Sequence, residues 1–305
     1  APSIAVPEAT RREICAAAVR LCRKLNYVCA GTVEFLLDMD SGEFFFIEVN
    51  PRIQVEHTVT EIVTDVDLVK SQILITQGHA LHAEPIGIPQ QDAIKPRGVA
   101  IQCRVTTEDA ENQFIPDYGR LSTYRSPGGM GVRLDAGSAF GGAVITPFFD
   151  SLLVKITTWG HDLRECVRRM DRALREFRVR GVKTNIPFLE NLINHADFLS
   201  GSATTDFVDR TPELFKFKRR RDRATRLLNY LGEGIVNGRP EVGDKHDPEQ
   251  VYATPKPPAP AFEGHDAPAG LRPRLLREGP EKFAAWVRKQ RPLLFTDTTM
   301  RDAHQ

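Results

Sequence analysis

The chain has 305 residues, enough for about two domains, and carries 41 basic against 40 acidic residues, a net charge of +1. That balance argues against a surface built as a whole for nucleic acid. There is no apolar run near the ~20 residues of a membrane span, no basic-then-apolar signal pattern at the start, and no CxxC pair among the five cysteines, which fits a reducing compartment.

Pro7 to Lys24 reads as a helix. Pro7 suits the first turn, Glu8 and Glu13 lie toward the N-terminal end, and Ile14, Ala17, Ala18, Leu21 and Leu25 recur at helical spacing. Cys15, Cys22 and Cys29 mark one helix face running into a strand, not a metal or redox site. Gly31 to Leu37 and Phe44 to Ile47 then read as two strands around the turn Asp38-Met-Asp-Ser-Gly42. A hairpin centred near Ser41 sets Glu34 opposite Glu48. Like charges directly opposite destabilise a sheet. A hard cation between them reverses the sign, because Mg2+ is typically held by one or two carboxylates plus substrate phosphates. The apolar runs are expected to bury the strands, and buried carboxylates need partners. The bland alternative leaves one glutamate in solvent and the other capping a loop. After Ile47 the polar residues Glu48, Asn50, Arg52, Gln54 and Glu56 alternate, so an extended chain projects all five to one side. Pro51 disturbs that ladder.

Val63 to Gln77 reads as a second helix, with Val66, Val69, Ile73 and Leu74 as its stripe and Gly78 as its stop. Gly98 to Val105 reads as a strand with Arg104 and Gln102 on one face. Short strands are expected at Leu121 to Tyr124 and Gly131 to Leu134 around the Ser126-Pro-Gly-Gly129 turn, then at Leu152 to Thr157. Asp162 to Arg178 is the clearest helix, with Leu163, Val167, Met170, Leu174 and Phe177 on its apolar face and arginines mostly elsewhere, read as a solvated face. Arg178 and Arg180 alternate in a non-helical stretch, so both could aim at one anion, and Thr184 to His195 reads as a further helix with Pro187 in its first turn. The basic cluster Lys216 to Arg223 runs into a short helix, Ala224 to Leu231. Such a run is usually solvated surface, although arginine clusters also suit phosphate groups. Asn237 to Pro273 is a proline-punctuated linker, followed by a helix from Gly279 to Gln290 and a strand at Leu293 to Phe295.

The stretch Glu34-Phe-Leu and then Phe46-Ile-Glu-Val-Asn-Pro-Arg-Ile-Gln-Val-Glu-His57 resembles the biotin carboxylase signature of the biotin-dependent carboxylases, an ATP-grasp family. Gln102-Cys-Arg104, Pro127-Gly-Gly129, Phe149-Asp150-Ser151 and Gly181-Val-Lys-Thr-Asn185 follow the same pattern, so the resemblance covers about residues 1 to 210. The tail, Thr296 to Gln305, resembles the start of a pyruvate-type carboxyltransferase barrel, and the two in this order resemble the pyruvate-carboxylating members of the family. The implied fold is α+β: the C-terminal part of an ATP-grasp biotin carboxylase, with antiparallel sheets and helices, then a small linker and the first strand of a (β/α)8 barrel. The implied divisions are residues 1–80 and 81–215 for two biotin carboxylase parts, 216–275 for an allosteric linker and 276–305 for the start of the barrel.

The resemblance also implies roles. Glu34 and Glu48 would hold Mg2+ or Mn2+ on the phosphates of ATP, with Asn50 assisting. Arg52, Gln54 and Val55 would hold bicarbonate, Glu56 would remove its proton, and Arg104 would stabilise the enolate of biotin. Arg178, Arg180, Arg220, Asp222 and Arg223 would form a site for the activator acetyl-CoA. Asp302 would bind a divalent carboxyltransferase metal, Zn2+ or Mn2+, with Arg301 and Gln305 near pyruvate. The expected activity is carboxylation of biotin, then transfer of the carboxyl group to pyruvate to give oxaloacetate. The expected setting is a homotetramer in the cytoplasm, or in the mitochondrial matrix of a eukaryote, without nucleic acid or membrane partners. The glycine-rich lid, the nucleotide-binding lysines, the biotinyl lysine and the remaining carboxyltransferase metal ligands lack counterparts in the chain, which is therefore expected to be an internal segment that does not turn over ATP alone. Two alternatives stay open: the biotin carboxylase part of an acyl-CoA carboxylase, and a non-catalytic acetyl-CoA-binding assembly module working through Arg178, Arg180 and Arg223.

Overall fold

The computed structural model describes residues 1–88, 90–137, 139–217, 223–237, 270–292 and 294. Helix α1 (Glu8–Lys24) precedes an antiparallel hairpin of β1 (Thr32–Leu37) and β2 (Phe44–Asn50). Glu34 pairs with Glu48 as expected, but the register shifts between Glu34 and Phe35, so toward the turn Phe35 pairs with Phe46 and Leu37 with Phe44. Strand β2 ends at Asn50. Pro51 has no amide hydrogen to continue the ladder, so the expected single extended face from Glu48 to Glu56 stops there. The expected burial of the hairpin is also absent: Phe45, Phe46 and Ile47 are 53%, 55% and 54% exposed. What packs locally is Phe35, edge-on to Phe44 at 5.6 Å and to Phe46 at 6.2 Å.

The helix expected over 63–77 is two helices, α2 (His57–Thr64) and α3 (Leu68–Thr76). Asp65 at φ 61° breaks them by entering the left-handed region, and the Asp67 side chain accepts from the Lys70 amide to cap α3. Strand β3 (Val99–Thr106) follows. Four two-residue strands and one of three residues then lead toward the main sheet: β4 (Glu108–Asp109), β5 (Ile115–Pro116), β6 (Gly119–Arg120), β7 (Thr123–Arg125) and, after β8 (Val132–Ala136), β9 (Val144–Ile145). Of the expected strand at Leu121 to Tyr124 only Thr123 and Tyr124 are in a strand, β7, and Leu121 is buried in the gap between β6 and β7.

The chain's main sheet is antiparallel in the order β3-β10-β8, with β10 (Leu152–Gly160) at its centre. Successive side chains of a strand leave opposite faces, and here the faces differ sharply. One carries Cys103, Val105, Val154 and Ile156, which form one core with Val167, Met170, Ala173 and Leu174 of α4 (Leu163–Glu176). The other carries Gln102, Arg104, Lys155, Thr157, Arg133 and Asp135, and α2 lies over it through Thr58. Helix α4 starts where Asp162 accepts from the Glu165 amide at 2.8 Å. Its arginines are laced into pairs one turn apart, Arg169 with Glu165, Arg172 with Glu176 and Arg175 with Asp171.

Strand β11 (Arg178–Arg180) pairs with β7. Gly181 then turns at φ 102°, and a Cβ there would run into the Arg120 carbonyl, so the Gly-Val-Lys-Thr-Asn motif needs glycine first. The next helix is shorter than expected, α5 (Ile186–Ile193), and α6 (Ala196–Ser200) is separate. Phe114, Phe188, Phe207, Leu214 and Phe215 form a second, smaller core. Helix α7 (Arg223–Asn237) is longer than the expected short one. Helix α8 (Arg272–Glu278) begins inside the stretch read as linker and packs on α9 (Pro280–Arg288), with Arg274 over the Trp286 ring at 4.2 Å. Of the expected strand at Leu293 to Phe295 only Leu294 is among the described residues, and it is not in a strand; the barrel-like tail lies outside them. No helix among the described residues is long and apolar enough to cross a membrane.

Candidate active site

Two groups of polar side chains meet around the loop after β2. The first gathers at the base of the hairpin. Asn50 Nδ2 donates to Glu34 Oε1 at 3.0 Å and to Glu48 Oε1 at 2.8 Å, so an amide lies between the two carboxylates. Gln54 Nε2 donates to the same Glu34 oxygen at 3.1 Å, while Gln54 Oε1 is buried without a partner among the described residues. The arrangement suits a hard cation. Glu34 and Glu48 supply oxygen donors, and turning the Asn50 amide would add a third. Among the described residues no cluster of three or more His, Cys, Asp or Glu side chains could hold a metal, so a cation here would rest on two glutamates, an amide and oxygens of its own substrate.

The second group lies where the loop meets the main sheet. Glu56 caps α2, and its Oε2 accepts from Arg104 Nη2 at 3.0 Å, both side chains being half exposed. The loop is fixed from below: Gln102 Nε2 donates to the Val55 carbonyl at 2.9 Å and to Thr58 Oγ1, which lies 2.7 Å from Thr157 Oγ1. Arg104 is braced through its backbone. Buried Asn185 donates from Nδ2 to the Arg104 carbonyl at 2.9 Å and accepts the Thr106 amide on Oδ1 at 3.0 Å. A cleft of about 570 Å³ opens beside Arg104, lined among others by Val55, Tyr118, Phe148, Phe149 and Asn185.

Beneath α2 lies a partly buried charge network that the sequence did not disclose. Glu61 accepts from Arg133 Nη1 at 2.6 Å and from the Leu68 amide at 2.8 Å, and Arg133 also grips Asp135 through two bonds of 2.9 Å. Hydrogen bonding to Asp135 holds the Arg133 guanidinium above its ordinary range. His57 is packed nearby with its Nδ1 3.6 Å from Glu61, too far for a hydrogen bond, and burial pushes its pKa down against the pull of Glu61. Lys155 is likewise pushed down, by burial first.

The other expected site residues are spread more widely. Arg52 Nη1 donates to the Ile53 carbonyl at 3.3 Å. Arg178 Nη1 donates to the carbonyls of Arg175 at 2.6 Å and Phe177 at 2.9 Å, at the end of α4, and Arg180 stands opposite Thr123. Arg223 opens α7. Arg220, Asp222, Arg301, Asp302 and Gln305 lie outside the described residues. All five cysteines are free, and burial pushes the Cys103 thiol up to about 12, so it stays protonated.

The segments that carry these two groups match families of known proteins. Residues 1–84 match the family model described as carbamoyl-phosphate synthase L chain, ATP binding domain, and residues 102–210 match the biotin carboxylase C-terminal domain. The class is therefore that of the biotin carboxylases, in their C-terminal part. Over its whole length the chain is 52% identical to pyruvate carboxylase of Bacillus subtilis (strain 168), covering 26% of that protein. It is 50% identical to the mitochondrial pyruvate carboxylase of Homo sapiens, covering 25%. The complete multifunctional pyruvate carboxylase from Rhizobium etli superposes with a TM-score of 0.75 at 51% identity, over 99% of this chain and 28% of that one. The biotin carboxylase domain of Hydrogenobacter thermophilus 2-oxoglutarate carboxylase, solved with MgADP, ADP and bicarbonate, matches with a TM-score of 0.67 at 38% identity, over 72% of this chain and 47% of that one. Over its whole length the chain is similar to pyruvate carboxylases, and it spans about a quarter of the length of the curated relatives it matches.

Proposed function

We propose that the chain is the part of a pyruvate carboxylase that activates bicarbonate and receives the activator. The observation that carries this reading is the Glu56–Arg104 pair at 3.0 Å beside an open cleft. A carboxylate held by a guanidinium at a cleft is placed to take a proton and pass its charge to a neighbouring group. Glu34 and Glu48, with Asn50, would hold Mg2+ or Mn2+ on ATP, which spreads the charge of the transferring phosphoryl group. Arg52, Gln54 and the Val55 backbone would orient bicarbonate. Glu56 would take its proton, so that a bicarbonate oxygen attacks the γ-phosphorus and ADP leaves. Biotin, carried elsewhere in the enzyme, supplies the ring nitrogen that accepts the carboxyl group. Arg104 would hold the negative charge that this requires.

The Bacillus and human pyruvate carboxylases align with the entire chain, beyond the end of the biotin carboxylase match at residue 210, which favours this reading over an acyl-CoA carboxylase. In it, residues 1–80 and 81–215 are the two biotin carboxylase parts, 216–275 the allosteric linker and 276–305 the start of the carboxyltransferase barrel. There Asp302 would bind Zn2+ or Mn2+, and Arg301 and Gln305 would approach pyruvate. A Rhizobium etli pyruvate carboxylase was solved with the allosteric activator acetyl coenzyme-A. By analogy, Arg178, Arg180, Arg220, Asp222 and Arg223 would hold that activator here, in a homotetramer. The test is bicarbonate-dependent ATP cleavage by the full-length enzyme. Glu56→Gln should abolish it, and unchanged cleavage would sink the assignment of the base. Loss of acetyl-CoA binding in Arg223→Ala would support the activator site.

A further inference from the structure

The like-charged pair Glu34 and Glu48 has a counterpart of opposite sign in the main sheet. Arg104 and Lys155 are register partners on β3 and β10, so their side chains leave the same face side by side. It is the face over which the Val55–Glu61 segment lies. Two cations there are destabilising unless anions compensate them.

The acids that face Lys155 are already committed. Asp135, its register partner on β8, is held by Arg133 Nε and Nη2. Glu61 takes Arg133 and the Leu68 amide. Glu56 bonds Arg104. His57, the remaining titratable group of α2 on this side, is held toward its neutral form by burial. The Lys155 ammonium has no hydrogen bond or ion pair within bonding distance among the described residues, and it is partly buried. A desolvated ammonium lacking its own acid is an incomplete electrostatic arrangement. Burial lowers its pKa, against the pull of Asp135 and Glu61.

We propose that Lys155 is a second cationic group of the anion site, acting with Arg104 on a small oxyanion of the bicarbonate or phosphate class. The proposal rests on the reading that Glu56 takes the proton of bicarbonate. When that proton moves from the bicarbonate O–H to a Glu56 oxygen, the Glu56 carboxylate becomes neutral and the substrate gains one negative charge. Arg104 loses the charge of its partner at that moment. Arg104 and Lys155 then face the new charge together, and the charge has moved from Glu56 to the substrate without leaving their field.

The full-length enzyme with K155M and K155R tests this. K155M keeps an unbranched stem and removes the charge. It should raise the KM for bicarbonate about tenfold, the size expected for losing one charged contact, while the KM for ATP stays within about twofold. K155R should remain near wild type. If the bicarbonate KM holds and inhibition by inorganic phosphate weakens about tenfold instead, phosphate is the anion recognised. If both are unchanged, the proposal is overturned. It is also overturned if the KM values for ATP and bicarbonate rise together with a lowered melting temperature, the mark of a packing role. Should K155M fail to fold, stabilisation by bicarbonate and by phosphate in melting experiments on K155Q replaces the kinetics. Shifts equal to wild type for both anions overturn the proposal, and a loss for either supports it. A wild-type enzyme without bicarbonate-dependent ATP cleavage would fail the underlying reading instead.

Discussion

The hairpin and the three-stranded sheet are both antiparallel, and each sets two like charges opposite one another. They differ in what surrounds those charges. The hairpin has two strands, and Phe45, Phe46 and Ile47 on it are more than half exposed. Its acid pair is bridged by an amide. In the sheet, β10 is packed on both faces, with Val154 and Ile156 buried toward α4 and Thr157 buried toward α2. Stability is therefore concentrated in the sheet and α4, while the hairpin and the loop after it carry groups whose charges await partners.

The widest separation between the two regions comes from the base. In the full-length enzyme Glu56→Gln should lower bicarbonate-dependent ATP cleavage by about 10²–10⁴-fold with little change in melting, because Glu56 is half exposed. A melting loss as large as that of a core variant would erase the distinction between site and scaffold. In the sheet region, Met170→Ala should cost about 2–5 kcal/mol in denaturant unfolding, since Met170 is fully buried at the centre of the core. At the edge of that scaffold, Asp162→Ala should cost about 1 kcal/mol through the lost cap of α4. On the hairpin the sign reverses. Without metal, Glu48→Gln should stabilise the protein by about 0.2–1 kcal/mol by removing like-charge repulsion. Destabilisation would mean that the Asn50 bridge outweighs the repulsion. The smallest effect is a slope. His57 has a folded pKa below its ordinary 6.5, so between the two values the unfolded chain binds more protons and stability rises with pH. Melting temperature should fall as pH drops below 6.5, and His57→Gln should flatten that dependence.

The acid pair was legible from a hairpin centred near Ser41, although the tip pairs one residue out of that register and the bulge before Glu48 restores it. The apolar stripe of α4 was legible from its helical spacing. The cover of a strand is not a local property, so the exposure of Phe45 to Ile47 could not be read from their being apolar. The start of α2 was hidden because Glu56 caps it without a side-chain hydrogen bond to the helix, and its end because an aspartate, not a glycine, takes the left-handed turn. Arg104 stood out through the resemblance, but Lys155 did not. The register that joins them spans about fifty residues and is set by the packing of α4 and α2 on opposite faces of the sheet. Asn185 lay in a recognised motif, yet its bonds on either side of Arg104 emerge only when the motif's loop is laid along β3.

The register shift in the hairpin has a mechanical meaning. Near the turn Phe35 faces Phe46, and that spacing continued inward would set Glu34 against Ile47. One additional residue in β2 advances the phase, and from there inward Glu34 faces Glu48 and Thr32 faces Asn50. The bulge works like a vernier between two scales: the tip is indexed by its aromatic contacts and the base by its acid pair. Shortening β2 by Ile47 should leave the two acids opposed while removing the added twist, so the orientation of the carboxylates could be altered separately from their pairing.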